Sequence, residues 1–225
     1  MSRAAPDALL DGLNAAQREA VLHHEGPLLV LAGAGSGKTR VLTRRIARLI
    51  RTHGVRPEHI LAVTFTNKAA GEMRERIAAL LEREPAGMWA GTFHSIGARL
   101  LRRAAPLVGR TPSYTIYDED DAGAAIRRLM ERLDVNPKQF ALRAVRGAIS
   151  DAKNALVTPD AYAALARDPF AQAVARVYAE YEPTLRRANA ADFDDLLVLP
   201  VRVLEQHPHE LERLRRRFRY LLVDE

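Results

Sequence analysis

Residues 28–40, LLVLAGAGSGKTR, decide how the rest of the chain is read. An apolar run suited to a β-strand, Leu28–Leu31, enters a loop of small residues, Ala32-Gly33-Ala34-Gly35-Ser36-Gly37. It leaves through Lys38-Thr39-Arg40 into residues with helical spacing. Glycines let a backbone curl until its amides converge on an oxyanion, and the N-terminus of the following helix adds a partial positive charge there. In that setting Lys38 reaches the β- and γ-phosphates of a nucleoside triphosphate, and the Thr39 hydroxyl ligates Mg²⁺. The strict form of the pattern opens with Gly; Ala32 holds that place here, a small change beside Gly33 and Gly35.

Such a loop predicts a second apolar strand that ends in an acid near the metal. The run Leu221-Leu222-Val223-Asp224-Glu225 fits, with Asp224 directed to Mg²⁺ and Glu225 placed to orient or deprotonate an attacking water. Lys38 and Asp224 stand 186 positions apart, far more than a compact nucleotide-binding core requires. The intervening residues therefore read as an insertion between two strands of one sheet.

Hydrophobic periodicity supports that division. Further β-like runs fall at Ile60–Phe65, Met88–Thr92, Tyr114–Tyr117 and Tyr220–Val223. Thr39–Arg51 and Asn67–Glu84 carry apolar residues at helical spacing between the early runs. The first third thus reads β-α-β-α-β, the order of a parallel sheet with crossover helices. From about Leu107 to His207 helical segments dominate, with Pro137, Pro159, Pro169 and Pro183 each near an expected helix start and Asp118 and Thr158 as expected N-caps. The expected division is residues 1–106, an inserted all-helical unit at 107–207, and a return to the sheet at 208–225.

Composition sets outer bounds. The chain has 225 residues, 48% hydrophobic and 28% charged, which is the balance of a folded protein. It has no cysteine, which excludes disulfides, Cys-based zinc or iron–sulfur centres and a thiol nucleophile. The longest apolar stretch, near Leu28–Ala34, is too short for a membrane span, and MSRAAPDALL lacks the apolar core of a secretion signal, so an intracellular protein is expected. The net charge is +6, and only four of the 34 basic residues are lysine. An arginine excess suits phosphate recognition but equally reflects genomic bias, so it permits a nucleic-acid partner without indicating one.

Five segments in order, LNAAQ at 13–17, AGAGSGKTR, TFTNKAAGEM at 64–73, GTFHS at 91–95 and DFDDLL at 192–197, followed by LLVDE, resemble the N-terminal part of superfamily 1 DNA helicases of the UvrD/PcrA/Rep type. The resemblance covers essentially the whole chain. It implies an α/β fold: a partial RecA-like P-loop NTPase parallel sheet with an inserted helical subdomain. It implies that Gln17 reads adenine, that Arg40 packs on the adenine face, and that ATP and Mg²⁺ bind at residues 32–40 and Asp224. It further implies contacts to single-stranded DNA from Thr64, Phe65, Thr66 and Asn67 and from Thr92, Phe93 and His94. From the residues alone, Thr66 or Asn67 caps a helix and Phe65 belongs to the core, while Phe93 fits burial as readily as a DNA contact. Asp192 and Asp195 read as helix-capping acids, Asp118–Asp121 as a helix N-terminus, and the basic run Arg213–Arg219 as a solvated helix end.

The resemblance implies an ATP-driven translocase and helicase that moves 3′→5′ on single strands and at single/double-strand junctions. It also implies DNA repair or replication as the setting, a second RecA-like domain as partner, no membrane, and a cytoplasmic, nucleoid-associated place of work. A catalytically inactive nucleotide- and DNA-binding fragment and a P-loop kinase are the alternatives; no acceptor site or lid for a kinase is visible.

Overall fold

The computed structural model describes residues 8–33 and 35–224. They form two compact units, one of the described residues up to 96 with those from 212 on, the other of residues 97–211.

The first unit is built on three parallel strands. Strand β1 (Ile60–Thr64) lies between β2 (Trp89–Thr92) and β5 (Tyr220–Asp224). Helix α1 (Ala15–Leu22) precedes α2 (Lys38–Arg51), and α3 (Asn67–Leu81) makes the crossover from β1 to β2. One sheet face is covered: Ile60, Ala62 and Leu222 pack with Ile46, Leu49 and Ile50 of α2 and Met73 and Ile77 of α3. The apolar spacing of both helices serves that contact. Helix α3 stops at Leu81 rather than Glu84, because Glu82 turns into the left-handed region at φ 57°.

Leu28–Leu31 departs from expectation, for it joins no sheet. Among the described residues, strand β5 is hydrogen-bonded on one side only, to β1. A cleft of about 580 Å³ lies along residues 28–32 and Leu221–Asp224, so the backbone at Leu28–Leu31 has no ladder to join. Its side chains show the consequence: Leu29 is 80% and Leu31 86% exposed.

The second unit contains α5 (Glu119–Arg132), α6 (Leu142–Asn154), α7 (Pro159–Leu165), α8 (Pro169–Arg187) and α9 (Asp195–Gln206). Helix α4 (Phe93–Ala104) leads into it and α10 (Pro208–Arg217) leads out. The unit is not wholly helical: β3 (Thr115–Ile116) pairs in parallel with β4 (Ala190–Ala191). Asp118, Thr158 and Asp168 cap α5, α7 and α8 through side-chain bonds to the third backbone amide beyond. Pro159 and Pro169 take the first helical position, as expected, but Pro183 sits inside α8. Buried Val177, Tyr178, Tyr181 and Leu185 on either side of it hold that helix together. Close packing also fixes Gly97 of α4, where a Cβ would lie 1.9 Å from the Leu196 carbonyl oxygen.

Beneath α9 lies an ionic hub that the sequence did not announce. Lys153 of α6 is fully buried, with its Nζ 2.7 Å from Asp192, 2.9 Å from Asp195 and 2.9 Å from Glu182. Arg110 pairs with Asp195 at 3.2 Å, and Arg202 lies 4.0 Å from Glu182. The N-cap position of α9 falls on Asp194, which makes no side-chain cap bond; Asp192, two residues earlier, accepts from the Asp195 amide at 2.8 Å. Burial by itself would lower the Lys153 ammonium, but Asp195, Asp192 and Glu182 together hold it well above the ordinary lysine value. The ammonium is therefore charged throughout the neutral range, and three buried carboxylates depend on it. Lys153→Met is expected to cost about 3–5 kcal/mol, because it leaves buried charge uncompensated. Urea unfolding followed by far-ultraviolet circular dichroism checks this, and an unchanged midpoint would contradict the hub's role.

Candidate nucleotide and nucleic-acid sites

Loop 32–37 is shaped by its own hydrogen bonds. The Ser36 hydroxyl donates to the Gly33 carbonyl at 2.6 Å, and Gly35 and Gly37 take φ of 74° and 90°. Gly37 is the N-cap of α2, with no side-chain cap and no acid in the first turn. The leading amides of α2 thus have no side-chain cap, a condition that suits helix N-termini to take phosphate.

The charged and hydroxyl groups gather around this turn. Lys38 Nζ donates to the carbonyls of Ala32 at 2.8 Å and Gly33 at 3.1 Å. The Thr39 hydroxyl donates to Asp224 Oδ2 at 2.7 Å. That bond joins residues 185 positions apart, and it exists because β5 runs parallel to β1 and ends beside the loop. Hydroxyl and carboxylate oxygens suit a hard, small cation that keeps most of its ligands from water and phosphate. Among the described residues no three His, Asp or Glu converge to hold a metal by themselves. Glu225 and Ala34, the other expected members of this site, lie outside the described residues.

Gln17 and Arg40 flank the loop. Gln17 Nε2 donates to the Ser36 carbonyl at 2.9 Å, while its Oε1 accepts from the Asn14 amide at 3.2 Å. Asn14 in turn accepts from the Gln17 amide, which closes a capping box at the start of α1. The Asn14-x-x-Gln17 spacing is the signal that could have revealed this tether in advance. Arg40 Nη2 donates to the Asp11 carbonyl at 3.3 Å.

The second candidate site occupies the adjoining strand ends. Thr64 pairs with Thr92 on one side and Asp224 on the other, so three strand ends form a row at one edge. Both threonines are buried, and Thr92 accepts from the Ser95 amide at 3.2 Å. Beyond them the chain turns outward. Phe65 is 61% exposed and Phe93 38% exposed, with ring centroids 5.4 Å apart in an edge-on arrangement. The core reading of Phe65 is thereby corrected, and Phe93, left open by the sequence, is likewise not buried: each follows a strand's last residue and faces solvent. Thr66 caps α3 by accepting from the Ala69 amide at 3.1 Å, while Asn67 and Lys68 begin that helix, exposed. His94 follows Phe93 on the first turn of α4, half-buried. No described helix is long and apolar enough to cross a membrane.

Known proteins match this chain along its length. The family described as UvrD/REP helicase N-terminal domain matches residues 13–225. The ATP-dependent DNA helicase UvrD1 of Mycobacterium bovis is 50% identical over 223 residues, covering 97% of this chain and 29% of its own length. The ATP-dependent DNA helicase PcrA of Leuconostoc citreum is 46% identical over 220 residues, covering 97% and 29%. That of Bacillus subtilis is 43% identical over 217 residues, covering 96% and 29%. The chain spans less than a third of the length of these relatives.

Gly37 offers a test of the loop. A Cβ there would take a left-handed conformation and meet Gln17 Nε2 at 3.0 Å. Gly37→Ala is expected to cost about 1–2 kcal/mol, lowering the melting midpoint by roughly 2–8 °C. Thermal denaturation checks this; an unaltered midpoint would show that the loop does not need the left-handed turn.

Proposed function

Because the chain belongs to the UvrD/REP helicase N-terminal domain family, we propose that it is the nucleotide-binding and strand-gripping part of an ATP-driven DNA translocase and helicase. The observation that carries this reading is the shared sheet edge. Asp224, Thr64 and Thr92 lie in register there, so the phosphate loop and the two aromatic strand ends are neighbours on one rigid support. Ligands of open parallel sheets bind at the C-terminal strand ends.

In the nucleotide site, Lys38 would exchange the Ala32 and Gly33 carbonyls for phosphate oxygens, a stronger, charge-assisted contact. The exposed amides of α2 would complete the cradle. Thr39 and Asp224 are the residues that would hold Mg²⁺, which when bound neutralises charge on the transferring phosphoryl group. Gln17 would read the adenine edge, with Arg40 against its face and Glu225 directing the attacking water. On the neighbouring strand ends, Phe65 and Phe93 would stack on bases. Thr64, Thr66, Asn67, Thr92 and His94 would contact sugar or phosphate.

Residues 97–211 would be the inserted subdomain. The arginines that complete the γ-phosphate site would come from a second RecA-like domain in the remainder of the protein. Movement 3′→5′, preference for single/double-strand junctions, a role in repair or replication, and work in the cytoplasm at the nucleoid follow from the family reading.

In the full-length protein, Lys38→Ala should lower ATP turnover at least a hundredfold while leaving single-strand affinity within about twofold. Phe65→Ala should do the reverse, weakening oligo-dT binding by about 1–3 kcal/mol, the value of one stacked base. Steady-state ATPase and fluorescence anisotropy with labelled oligo-dT separate the two. Loss of both activities in both variants, at unchanged thermal stability, would overturn the assignment of two separate sites.

A further inference from the structure

Within the segment GTFHS at 91–95, the strand-gripping reading uses Thr92, Phe93 and His94 and leaves the two outer residues, Gly91 and Ser95, without a task. Those two are interlocked. Gly91 is buried in β2, opposite Val63 of β1. A Cβ on it would stand 2.4 Å from Ser95 Oγ. Glycine inside a strand marks a close approach, and here the approaching atom is a hydroxyl. No other residue type leaves that hydroxyl its place.

From there the Ser95 hydroxyl donates to the Thr92 carbonyl at 2.9 Å, while the Ser95 amide donates to Thr92 Oγ1 at 3.2 Å. The last residue of β2 is thus held, through backbone and side chain, by the third residue of α4. Phe93 and His94 are the two residues enclosed. Local bonds of this kind fix a turn, and with it the direction in which Phe93 leaves the backbone. The end of β1 is built differently. There the capping residue, Thr66, comes after the aromatic, so Phe65 lies between strand and helix and belongs to neither. Phe93 is already the first residue of α4. Of the two rings, which meet edge-on at 5.4 Å, Phe93 is the one enclosed in a bonded turn.

We propose that Ser95 is a positioning residue of the strand grip: its hydroxyl, seated against Gly91 and bonded to Thr92, sets Phe93 as a stacking platform before DNA arrives. This rests on the reading of Phe93 as a ring that stacks on a base. A ring held in its bound direction loses less freedom on binding, so the lock contributes affinity without touching the strand. Its contribution is confined to the base face that Phe93 meets. Contacts to sugar and phosphate do not pass through that ring and stay as they are. Gly91 belongs to the same device, because a side chain there drives the hydroxyl from its seat and breaks the bond to Thr92.

The test uses the full-length protein with labelled oligo-dT and an abasic oligonucleotide of the same length, followed by fluorescence anisotropy at constant salt. Ser95→Ala should weaken oligo-dT binding roughly three- to tenfold, part of the value of one stacked base, and abasic binding by less than about twofold. In a Phe93→Ala background the Ser95→Ala effect should vanish, because both act through one ring. Gly91→Ala should weaken oligo-dT binding as Ser95→Ala does, and combining the two should cost no more than about twofold beyond Gly91→Ala alone. Where Gly91→Ala fails to fold, the Ser95 and Phe93 variants decide by themselves. Unchanged oligo-dT affinity in Ser95→Ala, equal losses on the two oligonucleotides, or a Ser95→Ala effect that persists without the Phe93 ring would overturn the proposal. Unchanged oligo-dT affinity in Phe93→Ala would instead sink the stacking reading itself, and the proposal with it.

Discussion

Parallel pairing of β1 with both of its neighbours governs what the first unit can do. With β1, β2 and β5 running the same way, Thr92, Thr64 and Asp224 come to one edge in register. An antiparallel β5 would bring Tyr220 to that edge and leave Thr39 without its carboxylate. The long separation of the two bonded residues matters little energetically, because loop closure costs only about 0.6 kcal/mol per doubling of length. The intervening chain is in any case no floppy loop; most of it forms a unit with its own buried clusters around Tyr178 and Leu199.

Two of the four lysines show how differently one fold can hold a charge. Lys38 is bonded to two neutral carbonyls near the surface. Replacing them by phosphate oxygens exchanges neutral acceptors for ionised ones and strands no charge. Lys153 has three carboxyl partners away from water, and burial pushes one of them, Asp195, up to about 7. Any ligand that drew it off would leave three carboxylates in low dielectric, facing only Arg110 and Arg202. The first arrangement can exchange partners at little electrostatic cost, and the second cannot.

The sequence disclosed most clearly whatever depends on short-range pattern. The Gly-rich turn, the helices with one apolar face and the N-caps at Asp118 and Thr158 are local, and they were legible. The pairing of DAKN at 151–154 with DFDD at 192–195 was not, because an ion pair across about 40 positions leaves no periodic trace. Asp192 and Asp195 do bond to each other's amides at the start of α9, as acids at a helix start do; the lysine beneath them is what the pattern leaves out. Phe65 and Phe93 were illegible in another way. An aromatic residue directly after an apolar strand fits the core, and only the turn taken after Thr64 and Thr92 sends each ring outward.

Leu28–Leu31 shows that a Gly-rich turn and the apolar run that leads into it have separate sources of order. The apolar run is strand-like in composition, yet a strand needs a neighbour's amides and carbonyls, and the edge of β5 lies across a cleft. The loop that follows is nonetheless formed. Ser36 on Gly33, Lys38 on Ala32 and Gln17 on Ser36 hold it from within and from α1, and α2 anchors its far end in the core. None of these bonds passes through a sheet ladder. The turn conformation is therefore encoded in residues 14–39 themselves, while the sheet's part is limited to bringing Asp224 to meet it.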